Sequence, residues 1–433
     1  MEESGRTAAE LARLLAPQPP LGLPVPAYDG RSLPNVTSSV VRATGVRLAD
    51  GPPIAPPLAD DLDPFAGRRA EGPVVVLLVD AMGWLGFSAW RAGADRDEAE
   101  RWAPLARPIT SVFSTTTTAA LVSLSSAAPP GRTGVPGYRQ YLPRFGVVAD
   151  LLRMVPLGVR GNDLLVGPDW TPAMVSGVPT VFRRGLPAVA LSRDRFEGSG
   201  FTRMLYDGAE YVPYSTAVDF AHTLSKLLDR ATPPPVIFAY WDELDTIQHL
   251  HGPGEELIGF ELAQFARCLR YVHRRATPAV RARTQFLITG DHGQVPARVD
   301  DQVRLDQEPE ILARLARPPA GDRRAGFLSA RPGEREALER ALRARLPAGA
   351  RVVPMRAAID AGLFGPPPFH PELEERLGDL LVLVPSPSGL TYQPPGSPVK
   401  YRHLYGAHGG LEPEELVVPL VTGSLGDLGA PSA

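Results

Sequence analysis

One run of eight residues, Pro73-Val74-Val75-Val76-Leu77-Leu78-Val79-Asp80, constrains the fold more than any other stretch. Up to its final Asp80 it is apolar and rich in β-branched valine, so it has no polar face to turn to water. That pattern predicts a strand covered on both sides, as in a parallel sheet flanked by helices. Val236–Trp241 and Phe286–Thr289 repeat the pattern. Helical periodicity over Ala217–Leu228 and Glu255–His273 separates them. The expectation is an α/β fold with a mainly parallel central sheet.

Each of these runs leads into carboxylates. The first ends at Asp80, the second enters Asp242-Glu243-Leu244-Asp245, and the third stops at Gly290 before Asp291-His292-Gly293. Ligands of α/β proteins gather beyond the carboxyl ends of parallel strands. Taken singly, these residues read two ways. Asp80 suits a metal ion or a helix N-cap. Asp291 and His292 suit a metal pair or a turn Asp beside a surface His. Asp245 and His249, four apart, share a helical face. A carboxylate with a neutral imidazole suits zinc, manganese or iron better than calcium. His408 lies in a glycine-flanked loop, Gly406-Ala407-His408-Gly409-Gly410. Ser114-Thr115-Thr116-Thr117-Thr118 runs straight into an apolar helical segment. A helix start there holds a phosphoryl oxygen on its unpaired N–H groups, or is simply an N-cap in a Thr-rich turn.

The chain has 433 residues and a net charge of −3, which gives no bulk electrostatic case for nucleic acid or an acidic membrane. Its single cysteine, Cys268, excludes an intrachain disulfide and a cysteine-based zinc site. No apolar run reaches the ~18 residues of a membrane span. The N-terminal Met1-Glu2-Glu3-Ser4-Gly5 lacks a leader's apolar core, so a cytoplasmic location is expected. Residues 1–72, rich in Pro and Gly, predict an arm packed on the core. Residues 73–425 are expected to form the main, catalytic domain, with a small inserted lobe over about 300–400, and 426–433 is expected to fray. Arg183, Arg184 and Arg203 read as solvated surface charge.

Together the pieces are more specific than any one alone. Three Asp and three His divide into two three-ligand sites, and a hydroxyl-rich helix start lies among them. In this order, Val-Val-Val-Leu-Leu-Val-Asp80, the threonine stretch, Asp245-Thr-Ile-Gln-His249-Leu-His-Gly-Pro, Thr-Gly-Asp291-His292-Gly and Gly-Ala-His408-Gly-Gly resemble the alkaline phosphatase superfamily. The resemblance is to its nucleotide pyrophosphatase and type I phosphodiesterase branch, from about Pro73 to Val421. The closing motif also looks like the end of PglZ-type members. The resemblance implies a three-layer alkaline-phosphatase-like fold and two divalent ions, zinc by expectation. One ion would take Asp245, His249 and His408, the other Asp80, Asp291 and His292. The implied nucleophile is Thr117, with Thr116 as the alternative in a run of four threonines.

The implied reaction is hydrolysis of a phosphodiester or nucleotide pyrophosphate by two in-line displacements through a phospho-threonine. The substrate would be a small phosphorylated molecule, possible nucleotides included. Phosphomonoester, phosphonate or sulfate ester hydrolysis is the alternative within the superfamily, and a non-catalytic PglZ-like partner module the alternative outside catalysis. The manganese- and Ser-dependent phosphoglycerate mutases are disfavoured by the threonine stretch. The chain departs from the family pattern at Ser126-Ala127, where Thr-Gly is usual, and at Tyr138, where an Asn often reaches the phosphate. Tyr138 and Arg139 are the expected phosphate-side groups, with packing or surface roles as the competing reading.

Overall fold

Alternate residues of the Val74–Val79 strand enter two different cores. Val74, Val76 and Leu78 join one buried cluster, and Val75, Leu77 and Val79 join another. A strand buried at every residue has to be apolar on both faces, which explains the unbroken run. The computed structural model describes residues 2–92, 101–398 and 403–429.

Among the described residues, seven strands form the central sheet, in the order Ala106–Thr110, Val417–Ser424, Gln285–Thr289, Val74–Val79, Val236–Trp241, Ala188–Arg193 and Glu210–Tyr214. Val417–Ser424 alone runs opposite in direction to the other six. One face is covered by helices Leu33–Thr44 and Thr117–Ser126, the other by Trp84–Ala92, Ala217–Leu228 and Glu255–Arg275. The result is a three-layer α/β fold with a mainly parallel sheet, as expected. Within the N-terminal arm, Leu33–Thr44 is buried at ten of its twelve residues and belongs to one helical layer.

A second seven-stranded sheet, antiparallel throughout, stands beside the first. Four of its strands, Ala320–Gly321, Ala325–Leu328, Arg351–Pro354 and Leu380–Leu383, fall in the span expected to form a small lobe. The other three, Arg139–Leu142, Val147–Asp150 and Val155–Pro156, come from much earlier in the chain. They are short and only half buried, so no apolar run announces them.

Two expectations need correcting. Residues from 426 do not all fray: Leu425–Gly429 is a helix whose Leu425 and Leu428 are buried, and 430–433 lie outside the described residues. Arg184 is not solvated: it is buried and donates to the carbonyls of Ala49 and Pro52, tying down the N-terminal arm. No helix among the described residues is long and apolar enough to cross a membrane.

Candidate metal and phosphoryl site

The sheet register brings the site together. Val79 pairs with Trp241, and Leu78 with Thr289, so three strands end at one level. Asp80 follows the middle strand and Asp291-His292 one neighbour. Beyond the other neighbour, helix Glu243–His251 carries Asp245 and His249. The backbone there is crowded: a Cβ on Gly293 would overlap the Glu414 carbonyl oxygen, and one on Gly290 the Met82 carbonyl oxygen. Glycine on both sides of Asp291-His292 is therefore a packing requirement. His408 arrives from the far end of the chain because Gly406–Ala407 pairs with Val295–Pro296.

Asp80, Asp291 and His292 form an inner group, with His292 Nε2 at 3.6 Å from Asp80 Oδ1 and 3.4 Å from Asp291 Oδ2. Each carboxylate commits one oxygen and keeps one. Asp80 Oδ2 accepts a short hydrogen bond from the Tyr240 hydroxyl, and Asp291 Oδ1 accepts from the N–H groups of Ala81 and His292, both at 2.9 Å. Asp80 Oδ1 and Asp291 Oδ2 are buried without a hydrogen-bond partner. Burial first, then the nearby Asp291 and Asp245 carboxylates, push the Asp80 pKa well above the usual carboxylate range. Burial also raises the Tyr240 phenol, which therefore stays a donor.

The outer group is Asp245, His249 and His408. Asp245 Oδ1 lies 3.4 Å from His249 Nε2 and accepts from the Gln294 amide at 2.5 Å. The His408 ring stacks on His292, centroids 3.9 Å apart, and lies 5.2 Å from the His249 ring. Among the described residues, Asp245 and His408 come within common ligand range of His292 and not of His249, so the outer set differs from the expected one at that position and His292 is shared by the two groups. Burial, followed by the neighbouring His292 and His249, holds the His408 pKa well below its usual value.

All three imidazoles are oriented alike. Nδ1 meets a carbonyl oxygen in each: Gly293 at 3.1 Å for His292, Gly406 at 2.9 Å for His249 and Thr115 at 3.0 Å for His408. A carbonyl can only accept, so Nδ1 carries the proton and Nε2 keeps its lone pair. The ligand atoms of Asp80, Asp291 and His292 lie within reach of one another, as do those of Asp245, His292 and His408, and this imidazole–carboxylate chemistry fits a divalent transition metal ion.

The four threonines have different surroundings. Thr115 Oγ1 donates to Gly410 O at 2.9 Å, and Thr116 Oγ1 donates to Asp322 Oδ1 at 3.3 Å. Thr117 Oγ1 lies 3.2 Å from His292 Nε2, while the Thr118 hydroxyl is buried without a partner. Thr117 is the first residue of its helix, and the first helical bond there runs from Ala120 N to Thr116 O. The helix ends with Ala127 at φ 52°, ψ 40°, a left-handed conformation that glycine adopts more readily. This is where the family usually has glycine.

A cavity of about 350 Å³ opens over this cluster, lined by Thr116, Thr117, Asp245, His249 and His408 together with Tyr138, Arg139 and Asp322. Arg139 reaches it. Tyr138 lines it too, but its hydroxyl donates to Asp150 Oδ2 at 2.8 Å. Asp322 is new to the site. Burial pushes its pKa up to about 6, against the lowering effect of the Tyr138 N–H and of Arg139. In sequence, Gly321-Asp322-Arg323-Arg324 looks like any charged turn, with no signal to single it out. Tyr240 did carry one, since a phenol inside a fully buried strand needs a partner.

The sequence profile of the type I phosphodiesterase / nucleotide pyrophosphatase family matches residues 74–410. The chain belongs to that family. A human relative, ectonucleotide pyrophosphatase/phosphodiesterase family member 5, is 28% identical over 101 residues, 22% of this chain and 21% of that protein. The match therefore spans about a fifth of the relative's length. Among solved structures, an inactive threonine-to-alanine variant of murine ectonucleotide pyrophosphatase/phosphodiesterase 5 in complex with AMP superposes with a TM-score of 0.60 at 14% identity, over 81% of this chain and 87% of that one. Phosphonoacetate hydrolase from Sinorhizobium meliloti 1021, in complex with phosphonoformate, gives 0.60 at 17% identity, over 82% and 90%. At these identities the likeness concerns the fold, which is alkaline-phosphatase-like.

Proposed function

We propose that this chain is a two-metal phosphodiesterase or nucleotide pyrophosphatase that works through a phospho-threonine on Thr117. Family membership carries the coarser statement, hydrolysis of phosphoric ester or anhydride bonds. The observation that carries the finer one is the position of the Thr117 hydroxyl, at a helix start and 3.2 Å from His292 Nε2 on the floor of the cavity. Asp80, Asp291 and His292 would hold one divalent ion, and Asp245, His249 and His408 the other. Bound there, the ions supply Lewis-acid stabilisation of the charge that develops on the reacting oxygens.

The chain's own residues do the rest. Thr117 Oγ1 forms a bond to phosphorus as the bond to the leaving oxygen breaks and the hydroxyl proton passes on balance to that oxygen. Water later displaces Oγ1, one of its protons restoring the hydroxyl and its oxygen staying on phosphorus. The first-turn N–H groups, ahead of the Ala120 bond, support the phosphoryl oxygens. Arg139 supplies a cation in the cavity wall. The Tyr138 hydroxyl, engaged with Asp150, positions that wall. A nucleotide-like substrate is favoured by the AMP complex of the murine relative, itself an inactive threonine-to-alanine variant.

The test is hydrolysis of bis(p-nitrophenyl) phosphate by zinc-loaded protein. Thr117→Ala should lose at least ~10³-fold in kcat while retaining its zinc. Equal activity of this variant and the parent would overturn the nucleophile. A larger loss in Thr116→Ala would transfer the role to Thr116.

A further inference from the structure

One wall of the cavity comes from the antiparallel sheet. Gly321 pairs with Arg139 of the neighbouring strand and leads into a turn that carries Asp322 into the cavity. The carboxylate is held from two sides: Oδ1 accepts from the Thr116 hydroxyl and Oδ2 from the Tyr138 N–H, each at 3.3 Å. Neither donor is charged, so these bonds fix the group without neutralising it. The loop behind it is shaped to match. Gly409, next to His408, has φ 117°, and a Cβ there would meet Asp322 Cβ at 2.5 Å. Of the charged or titratable groups, Arg139 and His292 act on Asp322 electrostatically, and Arg323 and His408 line the same cavity.

Asp80, Asp245 and Asp291 are already assigned to ions, and Asp322 has no such assignment. It is a fourth carboxylate, beside the residue before Thr117, where the phosphoryl group has to sit. We propose that Asp322 sets the charge preference of the site, admitting phosphoryl groups with one negative charge, as in diesters, and disfavouring those with two, as in monoesters. This rests on the phosphohydrolase reading above. In a cavity partly screened from water, a second substrate charge a few ångströms from a fixed carboxylate weakens binding on the order of tenfold.

The experiment compares p-nitrophenyl phosphate with bis(p-nitrophenyl) phosphate, which share a leaving group, at pH 8.5 in zinc-loaded protein. Asp322→Asn keeps the shape and an acceptor oxygen and removes the charge. The monoester-to-diester ratio of kcat/KM should rise about tenfold. Asp322→Glu keeps the charge and should leave the ratio within about threefold of the parent. A binding readout accompanies the rates: by calorimetry, inorganic phosphate should bind about tenfold more tightly to Thr117→Ala/Asp322→Asn than to Thr117→Ala. An unchanged ratio in Asp322→Asn overturns the proposal, as does Asp322→Glu shifting the ratio as far as Asp322→Asn. If the parent protein cleaves neither ester, the phosphohydrolase reading fails by itself, and the phosphate titration still decides whether Asp322 repels a dianion.

Discussion

The inner and outer ligand groups are built from the same residue types but held in opposite ways. The inner side chains, Asp80, Asp291 and His292, are 4%, 0% and 0% exposed, whereas Asp245 and His249 are 19% and 20% exposed. Inside, the fixed donors are a buried phenol and backbone N–H groups, and two carboxylate oxygens stay unpartnered. Outside, Asp245 is held by a side-chain amide and opens on the cavity. Two buried carboxylates facing each other are costly unless a cation lies between them, so the inner group is the one whose integrity depends most on an ion. The outer group is the more exposed of the two, as the second half of the proposed double displacement would require.

The largest effect should follow from breaking the inner group. Asp291→Asn removes charge from a fully buried position. It should lose about one equivalent of bound zinc, with an activity loss beyond the ~10–100-fold typical of outer-shell partners. Metal analysis alongside the rate assay checks this, and full zinc content with full activity would erase the distinction between the groups. His249→Ala attacks the open group. A loss of roughly tens-fold at limiting zinc, largely restored by excess zinc, is expected from its access to solvent. Failure of zinc to restore activity would mean that the outer group is no easier to refill than the inner one. Tyr240→Phe should have the smallest effect. It removes only the donor to Asp80 Oδ2, and about tenfold weaker zinc retention during dialysis against a chelator is the expected outcome. Retention equal to the parent would show that the backbone contacts of Asp291 suffice.

The inner group could be read early because its residues stand directly after strands whose burial dictates their composition. Asp80 and Asp291-His292 sit at fixed offsets from apolar runs, and those offsets survive folding. The outer group was readable for a different reason, the four-residue spacing of Asp245 and His249 on one helical turn. The threonine register was open in sequence because four identical residues carry no phase. It is the helix start at Thr117, with separate partners for Thr115 and Thr116, that distinguishes them. Asp322 and the strands over 139–156 had no local signature. The strands are short and half buried, and the turn is an ordinary charged one.

By itself, the sequence determined the central sheet, its two helical layers and the order of the candidate ligand residues along the chain. Burial on both faces and helical periodicity are local demands, written into neighbouring residues. Tertiary structure alone decided which threonine hydroxyl faces His292, that all three imidazoles turn Nε2 inward, and that a carboxylate from a second sheet closes the cavity. Each of these depends on contacts between residues far apart in the chain, Thr115 with His408 and Thr116 with Asp322 among them. Such contacts are set by how the layers pack, and no local pattern of residues encodes them.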